Sequence, residues 1–369
     1  LATPAPAAQG ARMTRRGIER LVMIAILPIA IAAPFLMPDY MTFLTFICIM
    51  IVLALTWDVL GGQMGYNSFG NILFFGIGVY TTTIVQIGLF ADVGAYTAAY
   101  GVETIELSRN QFLVGLAVGL VAAPLLAVAA AAILGSGLLG LRGQYFAIGT
   151  LGLGIAGGEL AAAWGWIGGA FGVQVPVFPG EVLERRLLFY YLSFALAVAT
   201  FLVLKRLYAG RFGLALNAIR DDEDKAEAMG LYTTRYKTIA WCIAAFFLGI
   251  AGGLIGQING YIEPREVAFA GASFGIWMVL MAILGGKGTI WGPVIGAVLF
   301  YLMKEFFWQQ FFGWQRVALG LLIVVIVVFF PVGILGWLKQ RFPARFGQSV
   351  DTVARAKANA ATGPDGAPQ

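Results

Sequence analysis

Gly152, Gly154 and Gly157 satisfy G-x-G-x-x-G, a spacing that binds dinucleotides where a strand turns into a helix and bare backbone meets a pyrophosphate. Here the three glycines lie inside an apolar run, so helix packing is the reading. Gly285-Gly286-Lys287-Gly288-Thr289 has the lysine of a phosphate loop, yet Met281 stands where the leading glycine belongs and Gly288 where a hydroxyl would hold magnesium. No nucleotide site is expected on this chain. Histidine, the commonest general base and metal ligand, is absent altogether. Cys48 and Cys242 lie in apolar runs, which points to packing and not to a disulfide or thiol chemistry. With neither a metal-ligand cluster nor a nucleophile and base, no enzymatic centre and no resident cofactor are expected.

What remains is a small set of polar residues in apolar surroundings. Asn67, Ser68, Asn71 and Glu159 are candidates for a solute path, because a polar group in lipid is costly and usually faces a bundle interior or a water-filled route. Interhelical hydrogen bonding is the alternative for the first three. Glu159 is the only charge between Leu151 and Trp164, and its alternative is a buried structural partner. Asp58 and Gln63 fit equally well at a membrane surface, and Lys304 and Glu305 stand near enough to a span end to snorkel.

These residues must be positioned by membrane helices. Sixty per cent of the 369 residues are hydrophobic and 12% charged, with a mean hydropathy of +0.84, which excludes a soluble globular domain. The 49 glycines suit helices that approach closely in lipid. At 1.5 Å per helical residue, about ten apolar stretches are long enough to cross a core of about 30 Å: 18–37, 40–61, 67–90, 111–134, 143–164, 187–207, 237–259, 269–285, 289–309 and 314–337. The fold class expected is an all-α, polytopic membrane bundle, with eight spans as the fallback. Glycine and proline interrupt the third, eighth and ninth stretches, which are expected as broken or re-entrant helices. With a cytoplasmic N-terminus, most of the 24 basic residues fall on the inner side, including the dense group from Lys205 to Lys237, and few beyond Arg109, Arg185, Arg186, Arg265 and Arg316 on the outer. A nucleic-acid partner is not expected from such a distribution. Residues 1–17 read as a cytoplasmic N-terminus, 18–338 as the membrane domain and 339–369 as a cytoplasmic tail rich in Ala, Gly and Pro after Ser349. Arg15 and Arg16 followed by Leu21 to Ala33 also fit a cleavable signal, and Met13 is an alternative start.

The longest inner loop, 208–237, is the most informative segment. Leu214 to Met229 is expected as one short amphipathic helix, with Ala215, Ile219, Ala226 and Met229 making apolar contacts, the acids facing water, and Gly230 closing it in a left-handed conformation. A solvated helical linker is the alternative. Ala218-Ile219-Arg220-Asp221, Ala226-Glu227-Ala228-Met229-Gly230 and Tyr236-Lys237 resemble the coupling segment of permeases from branched-chain amino-acid ABC importers. Ser68-Phe69-Gly70 with Phe74 to Tyr80, Leu141-Arg142-Gly143 with Tyr145 to Ile148, Gly285-Gly286 with Trp291-Gly292-Pro293, and Phe329-Phe330-Pro331 with Gly333 support the likeness from about residue 50 to 338.

The resemblance implies a transmembrane permease subunit in a bacterial inner membrane, N- and C-termini cytoplasmic, that moves amino acids from periplasm to cytoplasm by alternating access. It further implies that Arg220, Asp221, Glu227, Ala228 and Gly230 belong to the segment gripped by a separate ATPase, which carries the ATP and magnesium. A second permease chain and a periplasmic solute-binding protein are the other implied partners. Branched-chain amino acids are the default solute, with urea, short amides or aromatic acids as alternatives. Tyr66 and Asn71 depart from the Gln and His usual in the family, and Gly168-Gly169-Ala170-Phe171-Gly172 lacks the family's polar residue. An ion-coupled secondary transporter is the rival from another class, suited by broken helices and an intramembrane glutamate but not by a coupling segment.

Overall fold

The computed structural model describes residues 27–99, 106–310, 314, 317, 320, 321, 324 and 333–341. The alternative start at Met13, the first part of the stretch that also fits a cleavable signal (15–26), and most of the C-terminal tail lie outside them. The helices are α1 (Leu27–Leu36), α2 (Met41–Gly61), α3 (Asn71–Gly88), α4 (Val93–Ala98), α5 (Arg109–Leu138), α6 (Gly143–Ala163), α7 (Val182–Tyr208), α8 (Arg211–Asp221), α9 (Glu223–Ala228), α10 (Thr233–Asn259), α11 (Ile276–Gly285), α12 (Trp291–Gln310) and α13 (Gly333–Arg341). The short strands β1 (Val173–Gln174) and β2 (Tyr261–Ile262) pair antiparallel, Val173 opposite Ile262.

Among the described residues, seven helices are long and apolar enough to cross a membrane: α2 with its leading turn, α3, α5, α6, α7, α10 and the run Pro264–Gly285. The expected first stretch is represented by the short apolar helix α1, held to α7 by hydroxyls of Tyr190 and Tyr191 that donate to the Ala30 and Ile31 carbonyls. Much of the tenth lies outside the described residues. The breaks are distributed differently from expectation. The third stretch is a continuous helix from Asn71 onward, its irregular part being the preceding connection 62–70, and α12 is unbroken because Pro293 sits in its first turn, where no helical partner is lost. Only the eighth is interrupted, by π-turns at Pro264–Ala268 and Gly271–Gly275 that lead into α11.

The centre of the bundle is α10 packed on α3 and α5, which also pack on each other. Glycines set these distances. A Cβ on Gly78 would collide with the Gly249 carbonyl, one on Gly252 with the Phe75 carbonyl, and one on Gly249 would lie 2.9 Å from Pro124 Cα. Such backbone-to-backbone contact is how helices gain dispersion energy in lipid. Helix α2 packs on α7, α10, α11 and α12 and is buried almost throughout its second half. Helix α6 lies at the edge, against α3 and the first π-turn, where Phe269 covers Gly157 and Gly158. Gly154 and Gly157 of the dinucleotide-like pattern thus pack against Ile72, Leu73 and Phe269.

One end of the bundle carries α8, α9 and the connections 62–70, 139–142 and 286–290. The opposite end carries α4, the strand pair, the glycine-rich turns around 165–172 and the π-turns. There Tyr96 donates to the Gln174 carbonyl, and Tyr96, Thr97, Phe171 to Gln174 and Tyr261 line a small pocket.

Candidate functional site

The inner-loop segment folds as two helices, not one. Asp222 adopts an extended conformation (φ −165°, ψ 105°) and its carboxylate accepts from the Lys225 amide, so it ends α8 and caps α9. A side chain that can bond the backbone just ahead of it favours a helix start over a helix interior, and that is the reason the single expected helix breaks. Ala215, Ile219 and Ala226 are buried as expected, whereas Met229 is 86% exposed. Gly230 closes α9 at φ +87°.

The acids of α9 do not all face water. Glu223 turns toward the bundle and is bonded by both the Tyr66 hydroxyl and the Lys237 ammonium. Lys237, 1% exposed, also donates to the Tyr66 hydroxyl at 2.8 Å and to the Leu139 carbonyl at 3.2 Å, and its ammonium lies 4.4 Å from the centre of the Tyr66 ring. Arg142, at the start of α6, donates to Asp224 at 2.6 Å and stands 3.8 Å from Glu223 and 3.6 Å from Glu227. Glu227 in turn accepts from the Thr233 hydroxyl. One short helix is thereby fastened to the 62–70 connection, the end of α5, the start of α6 and the start of α10. Burial opposes ionisation of Glu223, but hydrogen bonds from Lys237 and Tyr66 outweigh it and hold the carboxyl below its usual range. Burial, and next the Glu223 carboxylate, push the Tyr66 phenol upward, so it remains a hydrogen-bond donor at neutral pH.

A second set of contacts anchors α8. Arg220 pairs with Asp221 at 3.1 Å and lies along the backbone of Gly65, itself at φ +79°. Beside it Asp58, buried within the protein at the α8 and α9 end, accepts from the Gly288 amide at 2.7 Å and from Gln63 at 3.5 Å. The Gly285 to Gly288 run that resembles a phosphate loop is therefore the connection between α11 and α12. Asp221, Ala228 and Gly230 are exposed.

The four candidate solute residues do not form one site. Asn67 is exposed in the 62–70 connection. Ser68 donates to Asn71 Oδ1 at 2.9 Å, Asn71 Oδ1 also accepts from Trp241 Nε1 at 3.2 Å, and Trp57 donates to the Ser68 carbonyl at 2.7 Å. That buried set is interhelical bonding next to the α9 fastening. Glu159 is near the other end of α6, and it is neither buried nor lone: Arg265 of the first π-turn meets it at 3.0 and 2.8 Å, with side chains 57% and 56% exposed. Lys304 and Glu305 pair at 3.6 Å near the end of α12. Of these four, Lys237 lies in a motif likened to the coupling segment and Arg142 in a supporting motif, whereas Tyr66 and Glu223 had no part assigned in coupling. The available signal was a lysine opening the apolar run that starts at 237, since such a charge needs a partner.

The family model described as "Branched-chain amino acid transport system / permease component" matches residues 40–330. The chain is similar to the high-affinity branched-chain amino acid transport system permease protein LivM of Salmonella typhimurium, 28% identical over 364 residues that cover 90% of this chain and 78% of the relative. The LivM protein of Escherichia coli K12 is 28% identical over 89% of this chain and 78% of its own length. A shorter similarity, 33% over 34% of this chain and 40% of the relative, links it to the LivH permease protein of the same E. coli strain. No solved structure matches the chain. A family-model match that spans residues 40–330, on a helical bundle with seven candidate membrane spans among the described residues, places this chain in the family of permease components of branched-chain amino acid transport systems.

Proposed function

We propose that the chain is the membrane-spanning subunit of an ATP-driven importer of amino acids, branched-chain ones by default, with α8 and α9 as the lever on which separate ATPase subunits act. The observation that carries this reading is the fastening of α9. A helix bound through Lys237, Glu223, Tyr66 and Arg142 to four parts of the bundle, with Ala228, Met229 and Tyr232 exposed beyond it, is suited to take a push at its free side and deliver it to the spans. Magnesium and ATP belong to the ATPase in this scheme. A periplasmic binding protein supplies the solute and a second permease of the same family completes the pore; the similarity to both LivM and LivH proteins supports a two-chain pore.

The test is reconstitution of the chain with its cognate ATPase, second permease and binding protein. Replacing Gly230 with valine, which a left-handed residue does not accept, or Glu227 with alanine is expected to leave ATP hydrolysis in place while leucine uptake drops at least tenfold. Wild-type uptake in both variants sinks the lever. Uptake driven by an ion gradient with no ATPase present favours the secondary-transporter alternative.

A further inference from the structure

Asp58, in the last turn of α2, is an acid with fewer partners than its burial demands. It is 1% exposed, yet it receives one short bond, from the Gly288 amide, and one long one, from Gln63. A carboxylate offers about four acceptor positions, and a buried one is costly unless donors or a cation fill them. Arg220 and Lys287 reach it only through the field of their charges. The bond to Gly288 is made at close quarters, since a Cβ on Gly62 would fall 1.8 Å from Asp58 Oδ1 and 2.4 Å from the Gly288 nitrogen. The complementary defect lies beside it. The Tyr208 hydroxyl is buried and has no hydrogen-bond partner among the described residues, and the Asp58 charge acts on it. A buried donor left without an acceptor is destabilising, and here an acceptor with vacant positions is its neighbour. Tyr208 is also tied to the lever. It ends α7, separated from α8 only by Ala209 and Gly210, and a Cβ on Gly213 of α8 would lie 2.3 Å from the Tyr208 carbonyl oxygen. A displacement of α8 therefore carries Tyr208 with it.

We infer that Asp58 is a two-position latch: it holds Gly288 of the α11–α12 connection in the arrangement seen here, and it accepts from the Tyr208 hydroxyl when α8 is displaced. The inference rests on the proposed importer and adds the route by which its lever reaches α11 and α12. Exchange of one donor for the other releases the connection 286–290. The helices on either side of it approach at Gly285 and Gly296 too closely for a Cβ, so they shift as a unit. A small movement of one short helix becomes a rearrangement of spans because the bonds at its base have two discrete settings. Asp58 and Tyr208 are positioning residues in this scheme and touch neither solute nor nucleotide.

The test measures leucine imported per ATP hydrolysed in proteoliposomes that hold the full chain with its cognate ATPase, second permease and binding protein. Tyr208→Phe removes a hydroxyl that bonds nothing in this arrangement, so its thermal midpoint in detergent is expected to be no lower than that of the unaltered chain. Asp58→Asn keeps an acceptor for the Gly288 amide and leaves too few for Tyr208. Both variants are expected to hydrolyse ATP at the unaltered rate while importing roughly fivefold less leucine per ATP, the lower end for a coupling between sites. An unaltered ratio in Tyr208→Phe overturns the latch, as does a parallel loss of hydrolysis and uptake. A lower thermal midpoint of Tyr208→Phe would mean that the hydroxyl is bonded already, and it overturns the latch as well. Glu227→Ala in the same vesicles separates this failure from failure of the importer reading. If it uncouples uptake from hydrolysis and Tyr208→Phe does not, the lever stands and the latch falls; uptake by the unaltered chain without ATP removes the importer itself.

Discussion

A lysine ammonium stripped of water is tolerated only where other groups replace its hydration, and Lys237 receives a carboxylate, a phenol oxygen, a main-chain carbonyl and an aromatic face. Lys237→Met leaves Glu223 with Tyr66 and a distant Arg142, and α9 is expected to lose about 3 kcal/mol of its attachment, toward the lower end for breaking a buried pair. Tyr66→Phe removes one hydroxyl and is expected to cost about 1 kcal/mol. Hydrogen exchange of the Glu223 to Ala228 amides measures both, and unchanged protection in Lys237→Met refutes the fastening. The same experiment has a pH arm. Because the Glu223 carboxyl is held below its usual range in the folded protein, its contribution is fully present above the ordinary glutamate value and is lost as pH falls through the lowered one. Protection is therefore expected to decline on acidification, and Glu223→Gln to flatten the decline. At this scale the sequence disclosed residue types but not partners. Tyr66 was visible only as a departure from a family pattern, and Glu159 only as a lone charge, because the residues that meet them lie far along the chain at 237 and 265.

Helices α11 and α12 make their closest backbone approach at glycines. A Cβ on Gly285 would overlap the Gly292 carbonyl, and one on Gly296 the Met281 carbonyl, and neither obstacle is a side chain that can swing aside. Gly285→Ala or Gly296→Ala is expected to force the pair apart at a cost of about 3 kcal/mol, the upper part of the range for overpacking, read as a lower midpoint of thermal unfolding in detergent. Gly152→Ala, with open space around it, is expected to leave that midpoint unchanged, and an equal loss at 152 and 285 refutes the packing argument. The elements themselves were largely legible, since a run of apolar residues longer than the hydrocarbon core specifies a span whatever its neighbours do. Their interruptions were less so. Gly76 and Gly78 resembled helix breakers in α3 but serve close packing against Phe269 and α10, and the division between α8 and α9 turned on one local hydrogen bond at Asp222 that hydropathy does not register.

For the molecule as a whole, the proposed lever requires that the α8 and α9 end faces the cytosol. The α8 and α9 end gathers Arg142, Arg220, Lys225, Arg235 and Lys237, and basic residues near span ends are retained on the cytoplasmic side. The end with the strand pair and π-turns has exposed Trp164 and Trp166, the amphipathic rings that settle at a membrane interface. The proposed importer requires its lever at the cytosolic end, and the bundle places α9 at the end opposite the strand pair. With native cysteines replaced, Met229→Cys is expected to react with a membrane-impermeant maleimide only in inside-out vesicles, and Val177→Cys, exposed just beyond β1, only in intact spheroplasts. The reverse pattern would put α9 in the periplasm, where no ATPase can grip it, and the Lys237 fastening would then be a structural tie and not a transmission.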